Sequence, residues 1–156
     1  MSEAYEEIMA EETWFCSPPG ARHELICGRL HALVAASLAN VSSARLLPLR
    51  SAVRLPGGTV LRPDLAVVTA ATNKLWLAAE VIAADDHRPD TVAKKAVYEE
   101  INLPRLWMID PRYDNVEVYH GGPYGLALKG ILIGRQTLSE ELLPAFQVVV
   151  MELFAP

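Results

Sequence analysis

The chain has 156 residues and 51% hydrophobic content, enough for one domain with one substantial core. A net charge of −5 excludes a sequence-independent nucleic-acid coat, but not a nuclease whose metal-binding carboxylates are offset by bound cations. No apolar stretch reaches transmembrane length, no basic start precedes an apolar core, and Cys16 and Cys27 form neither a disulfide framework nor a metal-ligand pattern, so a cytoplasmic protein with no membrane partner is expected.

Residues 1–16 carry Glu3, Glu6, Glu7, Glu11 and Glu12 without a Lys or Arg, and read as a solvated acidic segment. Ser17-Pro18-Pro19-Gly20 punctuates the chain. From His23 the apolar spacing is helical, with Leu25, Ile26, Leu30, Leu33, Val34 and Leu38 on one face, until Asn40 and Ser42-Ser43 end or bend it. Strands over 51–55 and 60–61 flank Pro56-Gly57-Gly58, a hairpin turn. Pro63 then forces a break or an edge, and the apolar runs 65–68 and 75–82 read as strands buried on both faces.

Asp90 is placed to cap a helix over 91–101 that carries Lys94, Lys95 and Tyr98. Residues 106–109 form a further buried strand, stopped by Asp110-Pro111. In 115–120, Val116, Val118 and His120 alternate with Glu117 and Tyr119, so one face is expected to be more exposed than the other. Gly121-Gly122 turns the chain into 126–133, and 142–154 closes it as a strand and a short helical turn. No repeat or long linker divides the sequence, so one α/β domain over 1–156 is expected.

The chemistry concentrates on Asp64 and Glu80, sixteen residues apart at the ends of two apolar strands. Carboxylates in such runs are costly unless they are paired or bind a metal. Converging on one end of a sheet, they suit a hard cation such as Mg²⁺ or Mn²⁺. The alternative is an Asp64 that caps the turn after Pro63 and a Glu80 ion-paired with Lys94 or Arg62. Lys94, early in the next helix, can reach the same carboxylates, while Lys95 points elsewhere and is solvated. His23 caps its helix start or faces the cleft, capping being the first expectation, and Glu24 looks toward a different face. Asp85, Asp86 and His87 are a solvated turn or outer ligands. Trp76 and Trp107 read as core and Cys27 as inert. Phosphate-cradling glycine loops, His-Glu-x-x-His helices and Gly-x-Ser-x-Gly elbows are absent from the sequence.

Several of these segments, in order, resemble the Uma-type family of restriction-endonuclease-like proteins, within the PD-(D/E)XK nuclease superfamily. They are Ser17 to His23, Arg62-Pro63-Asp64 with its strand, Glu80-Val81-Ile82, Lys94, Tyr98, Leu103-Pro104, residues 107–111, residues 116–119 and Leu142-Leu143-Pro144. The resemblance implies a restriction-endonuclease-like core, a mixed β-sheet flanked by α-helices. It implies a Mg²⁺- or Mn²⁺-dependent endonuclease acting on DNA, with Asp64 and Glu80 as metal ligands, Lys94 and His23 as further catalytic residues, and a homodimer framing the substrate. Lys94 would replace the lysine usual two residues after the glutamate, where Ile82 stands. The chain departs from the pattern at Ala83-Ala84-Asp85, where the family has Ser-Pro-Ser, and at Asn102, where a glycine is common. Glu7 loosely matches an N-terminal glutamate strand. The alternative is a catalytically silent binding module that keeps the fold. Mutual repulsion of clustered carboxylates further predicts that deleting Asp64 leaves stability unchanged or higher.

Overall fold

The computed structural model describes residues 3–83 and 88–156. Strands β1 (Tyr5–Met9) and β2 (Glu12–Cys16) pair antiparallel across Ala10 and Glu11, both at positive φ as a tight hairpin turn requires. The expectation of a solvated acidic segment is therefore corrected. Alternation turns Glu7 and Met9 inward and leaves Glu3, Glu6, Glu11 and Glu12 at the surface. Helix α1 (Ala21–Leu38) buries Ile26, Cys27, Leu30, Val34 and Leu38, whereas Leu25 and Leu33 fall outside that stripe and are exposed. Strand β3 (Ala44–Leu46) follows, and then β4 (Val53–Arg54) pairs with β5 (Val60–Leu61) around the Pro56–Gly58 turn. Pairing stops at Leu61 and resumes at Leu65, with Pro63 in the break.

The main sheet is built on β6 (Leu65–Thr69) and β7 (Leu75–Val81), both buried on their two faces except at Thr69. Helix α2 (Arg88–Glu100) crosses from β7 to β8 (Arg105–Asp110), which runs parallel to β7, the connection such a pair demands. The helix starts before Asp90, which therefore is not its cap. At its other end Asn102 adopts φ +54° and Leu103 N–H reaches back to the Tyr98 carbonyl at 3.0 Å, so asparagine fills the left-handed cap position that favours glycine.

Strands β9 (Asn115–Gly122) and β10 (Gly125–Ile133) form a long hairpin that turns at 123–124. A second hairpin, β11 (Thr137–Glu140) and β12 (Leu143–Val149), runs into helix α3 (Val150–Phe154). The six-stranded sheet has the order β10-β9-β8-β7-β6-β3 and is mixed, because only β7 and β8 are parallel. Against one face lie α1, α3 and the β11–β12 hairpin, packed on Leu65, Val67, Leu77 and Trp107. On the other lie α2 and the small sheet β2-β1-β5-β4, packed on Ala66, Val68, Ala78 and Leu106. This is the α/β arrangement expected, a mixed sheet between helices. Tyr119 is buried, and Lys95 of α2 lies over its ring at 4.2 Å from the centroid. None of the described helices is long and apolar enough to cross a membrane.

Gly121 marks a close approach between β9 and the start of β8. Its N–H donates to the Pro104 carbonyl at 2.9 Å, and a β-carbon there would lie 2.3 Å from the Leu103 carbonyl oxygen. Backbone on both sides leaves no soft group to yield. Gly121→Ala is expected to cost about 3 kcal/mol, near the upper end for overpacking. Urea denaturation checks this, and a loss within error of zero would mean that the two strands separate freely.

Candidate active site

The pairing of β6 with β7 decides the site. Leu65 lies opposite Ala79, and continuing the antiparallel register by one step sets Asp64 opposite Glu80. Directly opposed residues share a face, so both carboxyl groups turn toward α2 and the small sheet. Asp64 is fixed to the neighbouring strand by the Val81 N–H, which donates to Oδ2 at 2.8 Å. Its Oδ1 receives His23 Nε2 at 3.1 Å and Arg50 Nη1 at 3.0 Å. Glu80 holds two partners on Oε1: the Lys94 ammonium at 2.7 Å and the Tyr98 hydroxyl, donating at 2.6 Å. The same ammonium lies 2.8 Å from Oε2 of Glu7, which also accepts the Arg62 N–H at 2.8 Å.

Six parts of the chain converge here. Glu7 comes from β1, His23 from the first turn of α1, Arg50 from the β3–β4 loop, Asp64 from the residue just before β6, Glu80 from β7, and Lys94 from α2. Tyr5, Glu7, His23, Asp64, Glu80 and Lys94 line one cleft of about 730 Å³, with Arg22 and Arg112 also on its walls. That volume falls within the range of about 300–1,000 Å³ common for ligand sites.

The charges explain the titration behaviour. Glu7 and Glu80 share Lys94, Glu24 and Asp64 share Arg50, and His23 also lies against Asp64. Burial raises Glu80, and the charges of Asp64 and Glu7 add to it against the pull of Lys94, so that its carboxyl titrates at about 7. Burial also pushes Asp64 upward, but the hydrogen bond and charge of His23, the charge of Lys94 and the Val81 amide outweigh it and hold Asp64 below the usual carboxylate range. Burial alone would lower Lys94, yet Glu80 and Glu7 raise it well above the ordinary lysine value. Lys94 therefore keeps its proton. Cys16, with Sγ 3.5 Å from Glu7 Oε1, is pushed up to about 12, first by burial and then by the Glu7 charge.

The four residues singled out in the sequence, His23, Asp64, Glu80 and Lys94, thus stand together. Three readings, of His23, Glu24 and Lys95, need correction. The residue preceding α1 is Gly20, with no side-chain cap, so His23 is not capping the helix and binds Asp64 instead. Glu24 is not turned to an unrelated face, because it grips the Arg50 guanidinium that binds Asp64. Lys95 is half-buried on Tyr119 and not solvated. Asp85, Asp86 and His87 lie outside the described residues. Pattern reasoning found no role for Arg50. One signal exists only in the backbone: Arg50 has φ +54°, a left-handed conformation that a non-glycine residue seldom holds without cause. The contacts of Asp64 also reverse the expected effect of its loss. Removing it strips a buried arginine, a histidine and a backbone amide of their acceptor, so Asp64→Ala is expected to destabilise by about 3 kcal/mol, which urea denaturation checks.

His23, Cys27 and Asp64 offer ligand atoms within 4.8 Å of one another. The Arg50 guanidinium already spans Asp64 Oδ1 and Cys27 Sγ, the latter at 3.9 Å, and puts its own positive charge at that spot. The Glu80 side of Asp64 is therefore the better place for a hard cation.

The Uma2 family model, described as "Putative restriction endonuclease", matches residues 2–152, and the chain belongs to that family. Among solved structures, the chain is similar to a "putative nuclease belonging to DUF820" from Anabaena variabilis, with 13% identity, 96% of this chain and 89% of that one covered, and a TM-score of 0.79. At that identity the likeness establishes the fold, the restriction-endonuclease-like core expected from the sequence. Comparison with curated proteins gives no match.

The raised Glu80 makes the metal-free fold sensitive to pH. Its carboxyl titrates at about 7 folded, against 4.5 unperturbed. The stabilisation from its bound proton is full below the unfolded value and is lost as pH rises through the folded one. The lowered Asp64 acts only at more acidic pH. In the presence of a chelator, the melting temperature is expected to fall by a few degrees between about pH 5 and pH 8, and Glu80→Gln to flatten that slope. Scanning calorimetry decides it; a melting temperature unchanged over this window would mean that Glu80 is ionised throughout.

Proposed function

We propose that this member of the Uma2 family is a divalent-cation-dependent endonuclease that hydrolyses DNA phosphodiester bonds, with Asp64 and Glu80 holding Mg²⁺ or Mn²⁺ and with Lys94 and His23 assisting. The observation that carries the reading is the opposition of Asp64 and Glu80 on one sheet face, where both line the same cleft. The donor set fits a hard cation. Both ligands are oxygens, Asp64 Oδ2 accepts only the Val81 amide among the described residues, and the partners of Glu80 sit on Oε1. A cation bound there would neutralise charge on the phosphodiester and acidify the attacking water.

The protein's own groups supply the rest. Lys94, protonated between Glu7 and Glu80, is a fixed positive charge at the cleft wall and not a general base. It stands in for the lysine that Ile82 displaces from the strand. His23 and the Val81 amide hold the Asp64 carboxylate in place, and Tyr98 does the same for Glu80. Two copies framing the substrate would supply the extended surface that so small a chain lacks.

A silent binding module is the second reading, favoured by the way Lys94 and Arg50 already engage Glu80 and Asp64. Plasmid nicking and calorimetric titration with Mn²⁺ separate the two. The nuclease reading expects Mn²⁺ binding and chelator-sensitive nicking, both abolished in Asp64→Asn, a variant that keeps the side-chain shape. Lys94→Ala is expected to lower the rate by about 100-fold. It should bind Mn²⁺ as tightly or more tightly, because a competing cation is gone. A wild-type protein that neither binds Mn²⁺ nor nicks DNA would establish the silent module.

A further inference from the structure

We infer that Arg50, anchored by Glu24, is a positioning residue that presents Asp64 to a bound cation through one oxygen only, and so selects small octahedral cations of the Mg²⁺ or Mn²⁺ type over Ca²⁺. The inference rests on the proposed metal site.

A carboxylate offers about four lone-pair directions, two on each oxygen. On Asp64, His23 Nε2 and Arg50 Nη1 take both directions of Oδ1, and the Val81 N–H takes one of Oδ2. One direction remains, on Oδ2. A bidentate carboxylate needs a direction on each oxygen, and Oδ1 has none left while Arg50 stays. Ca²⁺ coordinates six to eight oxygens and often uses both oxygens of one carboxylate, whereas Mg²⁺ is content with six at shorter range. An arginine on Oδ1 therefore penalises Ca²⁺ more than Mg²⁺ or Mn²⁺.

Arg50 is built to stay there. Its side chain is 14% exposed, its other nitrogen, Nη2, is ion-paired with Glu24 Oε1, and Nη1 also approaches Cys27 Sγ. Its carbonyl accepts Arg62 Nη1 at 3.2 Å, and the next residue, Ser51, closes a turn onto the Pro48 carbonyl through both its N–H and its hydroxyl. These contacts hold Arg50 at φ +54°, a conformation that is unfavourable for a residue with a β-carbon. A surface arginine meant only for solubility has no use for that restraint. The fork of the guanidinium matters as well, since one nitrogen meets Asp64 while the other is tied to Glu24, which a lysine ammonium cannot reproduce.

The test is the ratio of Mn²⁺ to Ca²⁺ affinity, measured by calorimetry on the full chain. Deleting a positive charge strengthens binding of both divalent ions alike, so the ratio isolates the geometric effect. Arg50→Leu is expected to shift the ratio toward Ca²⁺ by about tenfold, and Glu24→Ala to shift it the same way by a smaller factor. If Arg50→Leu does not fold, judged by circular dichroism, Glu24→Ala decides. A ratio within twofold of wild type in every folded variant overturns the inference alone, with Mn²⁺-dependent nicking intact. A wild-type protein that binds neither ion overturns both the inference and the proposed nuclease.

Discussion

The Lys94 ammonium is the contact on which the arrangement of this molecule turns. It is only 12% exposed and joins three elements that share little sequence: β1 through Glu7, β7 through Glu80, and α2, on which it stands. Without it, two inward-facing carboxylates would confront each other where the small sheet meets the main one, and desolvation would drive them apart. With it, the small sheet, the main sheet and the crossover helix are locked at one point. Packing of Met9, Leu61 and Tyr98 against Ala78 and Leu106 supplies the bulk of the adhesion there. The ion pairs fix the alignment that non-directional apolar burial leaves loose.

That same contact shapes the chemistry. An ammonium fixed between two acids is not available as a base, and one cation shared by Glu7 and Glu80 leaves the cluster short of positive charge. The shortage is met in part by protonation of Glu80 and, on the reading proposed above, in full by a divalent ion. The cleft is thus two systems side by side. Lys94 manages Glu80 and Glu7, and Arg50, held by Glu24, manages Asp64 with the help of His23. Pro63 contributes by interrupting the strand just before Asp64, which frees that residue from the ladder while β6 holds the register that aims it at Glu80.

Much of the fold was legible because its strands obey simple rules. The runs 65–68, 75–79 and 106–109 are continuously apolar, as strands covered on both faces must be, and Gly57-Gly58 marks a turn that needs positive φ. The short β3 and β11 carry too few residues to display a period. The first hairpin was hidden for a different reason: Glu7 occupies an inward position where a hydrophobic residue would have revealed the alternation. A buried carboxylate erased the local signal of the strand that carries it.

The sequence by itself determined the α/β class, the family resemblance and the identity of Asp64, Glu80, Lys94 and His23 as the candidate constellation. These follow from residue types in local runs, and local runs can be read without coordinates. Only the tertiary structure decided that His23 binds Asp64 instead of capping α1, that Lys94 is shared with Glu7, and that Glu24 and Arg50 belong to the same cluster. Arg50 and Asp64 are fourteen residues apart, and Lys94 and Glu7 lie on elements separated by half of the main sheet's strands. Such pairings depend on how loops close and which faces meet. Many charged residues compete for each partner in a linear chain, and only the packed core selects among them.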